Sequence, residues 1–264
     1  MHTPLLTRRD GAVLVLSNNN PEARNALSPE FYVALTQALH DAAADPDVGA
    51  VVLTGEGGHF CAGGDLRQLA KRRELSVEQR RSRLDGLHDV IRTVRDCPKP
   101  IIACVEGAAA GAGLSLALAC DMLVAANNAV FSVAYVKVGL TPDGGATAFL
   151  AEFVSRQVLT ELCLTGERIS GERLHALGAV NRLTEPGEAL QQAIGLAAQV
   201  GTGPEQAMSR IKHLCHSAYA QTLDAQLEQE AQFMVAAQAS EESREGIGAF
   251  LEKRQPDFSK LRQP

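Results

Sequence analysis

Two glycine-rich stretches and one carboxylate have the types and spacing to do chemistry. The stretches are His59-Phe60-Cys61-Ala62-Gly63-Gly64-Asp65-Leu66 and Gly107-Ala108-Ala109-Ala110-Gly111-Ala112-Gly113-Leu114-Ser115, and the carboxylate is Asp143. Each stretch follows an apolar run that reads as a strand. Small residues let a ligand approach the backbone and leave N–H groups free to point at it. An apolar helix over residues 114–119 begins straight after the second stretch, so its N-terminal dipole adds to the amide of Ala112 at a negatively charged oxygen. Two amides converging on one oxygen make an oxyanion hole, and losing one such donor costs roughly 3–4 kcal/mol of transition-state stabilisation. Either stretch alone also reads as a close-packed turn. As a pair they point to an anion-stabilising site.

Rival readings of the second stretch fail on detail. A dinucleotide fingerprint needs glycine where Leu116 stands, and a phosphate loop needs a lysine that is missing. A nucleophile elbow needs glycine at Ala117, and no histidine can be assigned as partner to Ser115. Asp143 lies in Gly139-Leu140-Thr141-Pro142-Asp143-Gly144-Gly145, an ordinary turn sequence in which it could simply cap the next helix. A free aspartate, with a pKa of about 3.9, is a weak base. An apolar lining from Phe131, Val133, Tyr135 and Val138 is expected to raise that value by desolvation.

The elements that must hold these residues alternate at first. Apolar runs at 12–16, 48–54, 101–105 and 122–125 predict strands, bounded by turn signals such as Asn18-Asn19-Asn20-Pro21. Between the first two, Ser28 as N-cap and Pro29 at the first helical position open a helix whose apolar face is Phe31, Leu35, Ala38, Leu39 and Ala42. Strand, helix, strand with continuously apolar strands predicts an α/β fold with a parallel sheet covered on both faces. After Gly139 the pattern turns helical, over 144–164, 170–177, 187–200, 204–217 and 222–253, with one short strand at 180–183. The division expected is a core over 1–200 that carries the sites, and a helical region over 201–264.

Bulk properties narrow the class. A net charge of −6 gives no reason to expect nucleic-acid binding. The first ten residues lack the pattern of a signal peptide, and the apolar stretch 101–126 is interrupted by Glu106 and Asp121, so neither export nor membrane contact is expected. Six scattered cysteines with no CxxC pair read as reduced, core-filling thiols, giving a soluble cytoplasmic protein. The basic segment 67–83 reads as a solvated helix face rather than an RNA site. His213 and His216 beside Cys215 lack the partners of a metal site, so none is expected.

Taken with Asn18-Asn19-Asn20-Pro21-Glu22-Ala23-Arg24-Asn25-Ala26-Leu27, the two stretches resemble the crotonase (enoyl-CoA hydratase/isomerase) superfamily. The similarity covers essentially the whole chain. It includes Pro98-Lys99-Pro100-Ile101-Ile102-Ala103 and the terminal run from Arg244-Glu245-Gly246 to Gln255-Pro256. The resemblance implies a spiral of ββα units with a helical C-terminal trimerisation region, assembled as a homotrimer or a hexamer. It implies an acyl-CoA substrate with no separate cofactor, coenzyme A being part of the substrate. The thioester oxygen would accept hydrogen bonds from the amides of Ala62 and Ala112. Ala23, Arg24, Gly63, Gly64, Asp65, Leu66, Gly111, Ser115 and Tyr135 would border the CoA arm or the acyl group. Phe250 and Lys253 match positions that reach the CoA of an adjacent subunit, although by itself Lys253 reads as a solvated helix charge. His59 would lie near CoA phosphate or serve as a surface turn residue.

The chain departs from the hydratases of this family, which use two glutamates to activate water and deliver a proton. Those glutamates fall at Ser115 and Tyr135, and neither hydroxyl replaces a carboxylate base near neutral pH. Double-bond isomerases of the family carry their carboxylate in the turn where Asp143 stands. The similarity is closest to 1,2-epoxyphenylacetyl-CoA isomerases of phenylacetate breakdown. The reaction expected is therefore isomerisation of an enoyl-CoA with Asp143 as both base and acid. The alternatives are an enoyl-CoA hydratase of fatty-acid or aromatic-acid degradation and a non-catalytic CoA-ester binding protein.

Overall fold

The computed structural model describes residues 3–262. The first half alternates strands and helices: β1 (Leu5–Asp10), β2 (Val13–Asn18), α1 (Pro29–Ala44), β3 (Ala50–Gly55), α2 (Leu66–Arg72), α3 (Val77–Asp96) and β4 (Ile101–Val105). There follow β5 (Ala108–Ala110), α4 (Ala112–Ala119), β6 (Met122–Ala126) and β7 (Val130–Ser132). The remainder is α5 (Ala146–Phe153), α6 (Arg156–Thr165), β8 (Arg168–Ser170), α7 (Gly171–Ala176), β9 (Arg182–Thr184), α8 (Ala189–Gly201), α9 (Glu205–Ser217), α10 (Leu223–Gln238) and α11 (Glu241–Leu251).

The main sheet runs β1-β2-β3-β4-β6-β9, parallel from β2 onward, with β1 added antiparallel as an edge hairpin. Its central strands are apolar over most of their length because both faces are covered. On one face Val13, Val15, Val52, Ile102 and Val124 meet Ala189, Ala193, Leu196 and Ala197 of α8. On the other, Leu16, Leu53, Ile101 and Val105 meet Phe31, Leu35 and Leu39 of α1 and Val90 and Val94 of α3. A second sheet, β5-β7-β8, stands beyond the ends of the main strands and carries the second glycine-rich stretch.

The strands and helices expected in the first half are present, with boundary shifts. The β1 hairpin is an addition, signalled by Asp10-Gly11, where Gly11 has φ +56° in the two-residue turn. Two long predicted helices are broken instead. Val154 is extended and Ser155 caps α6, accepting from the N–H of Val158. Likewise Ser240 caps α11, accepting from Ser243, so 222–253 is two helices. In both cases a serine offers the backbone a better start than continuation does.

The C-terminal helices reach the core through charge. Lys212 Nζ lies 2.9 Å and His216 Nε2 3.0 Å from the carboxylate of Asp121, whose Oδ2 also accepts from the N–H of Ile101. Lys99, 1% exposed, pairs with Glu205 at 2.7 Å. His216 therefore lies against the Asp121 carboxylate, and no group of His, Cys, Asp and Glu able to hold a metal occurs among the described residues. Cys61, Cys97, Cys104 and Cys120 are buried, and burial pushes the Cys61 and Cys104 thiols up to about 12. Cys215 is exposed, contrary to a core-filling role. No helix among the described residues is long and apolar enough to cross a membrane.

Candidate active site

The two glycine-rich stretches run side by side. Cys61 N–H donates to Ala108 O and Ala110 N–H to Cys61 O, both at 3.0 Å, forming a parallel bridge. On the other side of the first stretch, Leu27 N–H donates to Gly63 O at 2.8 Å. Three segments, 24–27, 61–64 and 108–110, thus lie in register beyond the main sheet. A Cβ on Gly63, which has φ +90°, would sit 2.6 Å from Ala110 O and 3.4 Å from Ala112 N. That position has to be glycine for the first stretch to approach the N-terminus of α4.

The asparagine turn before α1 is latched to the same place. Asn25 is fully buried with φ +58°, a conformation asparagine tolerates better than most residues. Its side-chain amide donates to Glu56 O at 2.7 Å and His59 O at 2.6 Å, and its Oδ1 accepts from Asn20 N–H. His59 is no bystander of the turn, since its Nδ1 accepts from the N–H of Ala108 at 3.2 Å and joins the two stretches. The sequence motif contains Asn25, but nothing in its spacing announces that its side chain is the latch.

Ala62 is not placed as expected for an oxyanion donor. Its N–H donates to Arg24 O at 2.9 Å, so that amide is consumed within the chain. Further along the stretch the amide of Gly64 has no acceptor among the described residues, and the same holds for Ala112 at the first position of α4. The helix starts two residues earlier than the sequence suggested, immediately after Gly111 (φ +53°), whose N–H donates to Ser132 O. Every residue of α4 is buried, which leaves the dipole of its first turn unscreened by water.

Asp143 is half-buried beside this helix, and its carboxylate does not cap α5, whose N-cap position is Gly145. Tyr135, 8% exposed, donates its hydroxyl to Asp143 Oδ1 at 2.7 Å. Ser115, fully buried, donates its hydroxyl to Asp143 O at 2.9 Å. Burial raises the Asp143 pKa, against the opposing effects of the Tyr135 hydrogen bond and the charges of His88 and Arg72. The Tyr135 hydroxyl is raised too, first by burial and then by the Asp143 charge. Phe131 and Val133 are buried as expected, but Val138 is 49% exposed and contributes no lining. His88 and Arg72, overlooked in the sequence, come from α3 and α2.

The other expected residues sit at the margins. Ala23 and Arg24 are exposed at the turn, with Arg24 at φ +50°. The carboxylate of Asp65 caps α2 by accepting from Arg67 N–H, and Leu66 is 58% exposed. A cleft of about 410 Å³ opens there, walled by Leu27, Ser28, Asp65, Gln68 and Arg72. Phe250 is 82% exposed near the end of α11, and Lys253 beyond it is exposed with φ +57°.

Known proteins resemble this chain over nearly its whole length. The chain matches the Enoyl-CoA hydratase/isomerase family profile over residues 8–261. It is 34% identical over 262 residues to 1,2-epoxyphenylacetyl-CoA isomerase of Escherichia coli (strain K12), covering 97% of this chain and 98% of that protein. It is also 34% identical to 2,3-dehydroadipyl-CoA hydratase of the same organism, covering 96% and 98%. The crystal structure of an enoyl-CoA hydratase from Polaromonas sp. JS666 superposes with a TM-score of 0.94 at 46% identity, covering 96% of this chain and 98% of that one.

Proposed function

The chain belongs to the enoyl-CoA hydratase/isomerase family of the crotonase superfamily, a family of enzymes, and on that premise we propose that it isomerises an enoyl-CoA, with Asp143 as the single base and acid. The observation that supports this reading is the fate of the two positions aligned with hydratase glutamates. Ser115 and Tyr135 are hydroxyl residues there, and both donate to Asp143 rather than stand as independent proton carriers.

In this mechanism the thioester oxygen sits against the amides of Gly64 and Ala112, with the dipole of α4 behind the second. Asp143 takes the proton from the carbon next to the thioester carbonyl. The C–H electron pair moves into a dienolate whose oxygen the two amides hold. Protonated Asp143 then returns the proton two carbons further along, so the double bond moves at unchanged mass. Desolvation of Asp143 makes it a better base than a free aspartate, and this supports the assignment. Coenzyme A enters as part of the substrate and no separate cofactor is required. Phe250 and Lys253 serve the CoA of a neighbouring subunit in a homotrimer or hexamer of cytoplasmic location, and residues 201–264 make the subunit contacts.

The test offers the purified protein a 3-enoyl-CoA and, separately, a 2-enoyl-CoA, followed by mass spectrometry and ultraviolet absorbance. Conversion of the first to the conjugated thioester at unchanged mass, reduced about 10²–10⁴-fold in Asp143→Asn with binding retained, is the expected result. Hydration is the second reading, favoured by the relatives named as hydratases. Addition of water to the 2-enoyl-CoA without isomerisation of the 3-enoyl-CoA would replace the first reading by the second.

A further inference from the structure

We propose that Tyr135 is a positioning residue that confines the migrating proton to one oxygen of Asp143, an inference that rests on the isomerase reading. The 2.7 Å contact from the Tyr135 hydroxyl engages Oδ1, and no hydrogen bond reaches Oδ2 among the described residues. The distance is that of a strong hydrogen bond to a charged acceptor.

The phenol has little freedom to leave. It is 8% exposed, and its backbone carbonyl accepts from Leu140 N–H at 3.0 Å. Its ring lies against Gly111, where a Cβ would be 3.7 Å from the ring carbon that bears the hydroxyl. The acceptor is fixed as well, because Ser115 holds the main-chain carbonyl of Asp143. With both ends anchored, rotation of the carboxylate about its Cβ–Cγ bond would break the Tyr135 bond.

The chemical consequence concerns both half-reactions. When the substrate C–H bond breaks, its electron pair enters the dienolate and the proton goes to Oδ2, since the Tyr135 hydrogen bond stabilises negative charge on Oδ1 and makes it the weaker base. The same Oδ2–H bond then breaks to protonate the distal carbon. The phenol keeps its own proton throughout. A carboxyl group free to turn would present its proton to solvent between the two steps. Tyr135 thereby shortens the path of the proton without itself exchanging one.

The test replaces Tyr135 by Phe, which keeps the ring and removes the donor. Groups facing Asp143 are His88 from α3, Arg72 from α2, Tyr32 from α1 and Ser115 from α4. Because the charge of His88 acts on Asp143, the pH profiles are recorded in a His88→Gln background. Two readouts are expected to move together with KM little changed. The acidic limb of kcat/KM rises by about one to two pH units, since a bond favouring the carboxylate is lost. The fraction of deuterium carried from the first carbon to the second, in substrate deuterated next to the thioester, falls several-fold. Unchanged label transfer and an unchanged limb would overturn the inference while leaving Asp143 as the catalyst. A ¹³C-aspartate titration of the two proteins, assigned with Asp143→Asn, reads the same hydrogen bond without turnover. Identical Asp143 titrations would overturn it even if Tyr135→Phe were poorly active. A wild-type chain that isomerises nothing would remove the underlying reading instead, and the role with it.

Discussion

The hydroxyl of Ser115 donates to the main-chain carbonyl of Asp143 across 28 residues of sequence, at 2.9 Å. It ties the turn that carries the carboxylate to the helix that begins at Ala112. The proposed proton carrier and the proposed oxyanion donor are therefore fixed to each other through one buried side chain.

Ser115→Ala removes that tie. Loss of one buried hydrogen bond is expected to cost about 1 kcal/mol, lowering Tm by about 2–4 °C. Turnover should fall about tenfold, because a loosened base spends less time in line with the substrate. Thermal denaturation and steady-state kinetics check both, and a stability loss with turnover intact would separate the tie from catalysis.

Ala112→Pro tests the amide proposed as an oxyanion donor. Proline is tolerated at the first position of a helix, where its missing N–H is an orphan in any case. The fold is expected to survive, shown by an unchanged circular dichroism spectrum, while kcat drops about 10²–10³-fold. Retention of full kcat would mean that this amide does not face the developing charge.

Asp143→Asn has a second consequence, in stability. Burial raises the native pKa of Asp143 above its unfolded value. Its stabilising effect is then complete below the unfolded pKa and is lost as pH rises through the native one. The variant should become progressively more stable than wild type as pH increases from about 4 through the elevated native pKa, and the gap should level off above it. Melting curves across this range measure the difference, and a gap that narrows with rising pH would contradict the burial argument.

Asn25→Ala breaks the latch between the asparagine turn and the first glycine-rich stretch. Two donated bonds and one accepted bond are lost from a fully buried side chain, with backbone partners left unpaired. A loss of roughly 2–4 kcal/mol in urea denaturation is expected. A change below about 0.5 kcal/mol would mean that the three segments hold their register without it.

What the sequence conveyed here was periodicity and motif. Runs such as Ile101–Val105 announce a covered strand because five consecutive buried residues leave no alternation to misread. The turn that holds Asp143 is likewise legible from its neighbours. The direction of the Ala62 amide was not, because N–H direction alternates along an extended segment, and only the pairing of Leu27 and Cys61 with their neighbours decides that Ala62 points inward to Arg24. The partnership of Tyr135 with Asp143 was hidden for a different reason. It depends on a tight 3₁₀ turn over 134–138 that no periodic signal marks. The breaks at Ser155 and Ser240 show the remaining weakness, a helical pattern that continues through a residue whose side chain prefers to start a new helix.

The covering of the sheet by α8 also has a consequence during synthesis. The part of this apolar face formed by Val15 and Val52 is in place once β3 has left the ribosome, yet the helix that shields it ends at Gly201, roughly 150 residues later. At about 5–20 residues per second the nascent chain carries that face bare for on the order of ten seconds. Until α8 docks, that face is open to aggregation or to a holding chaperone.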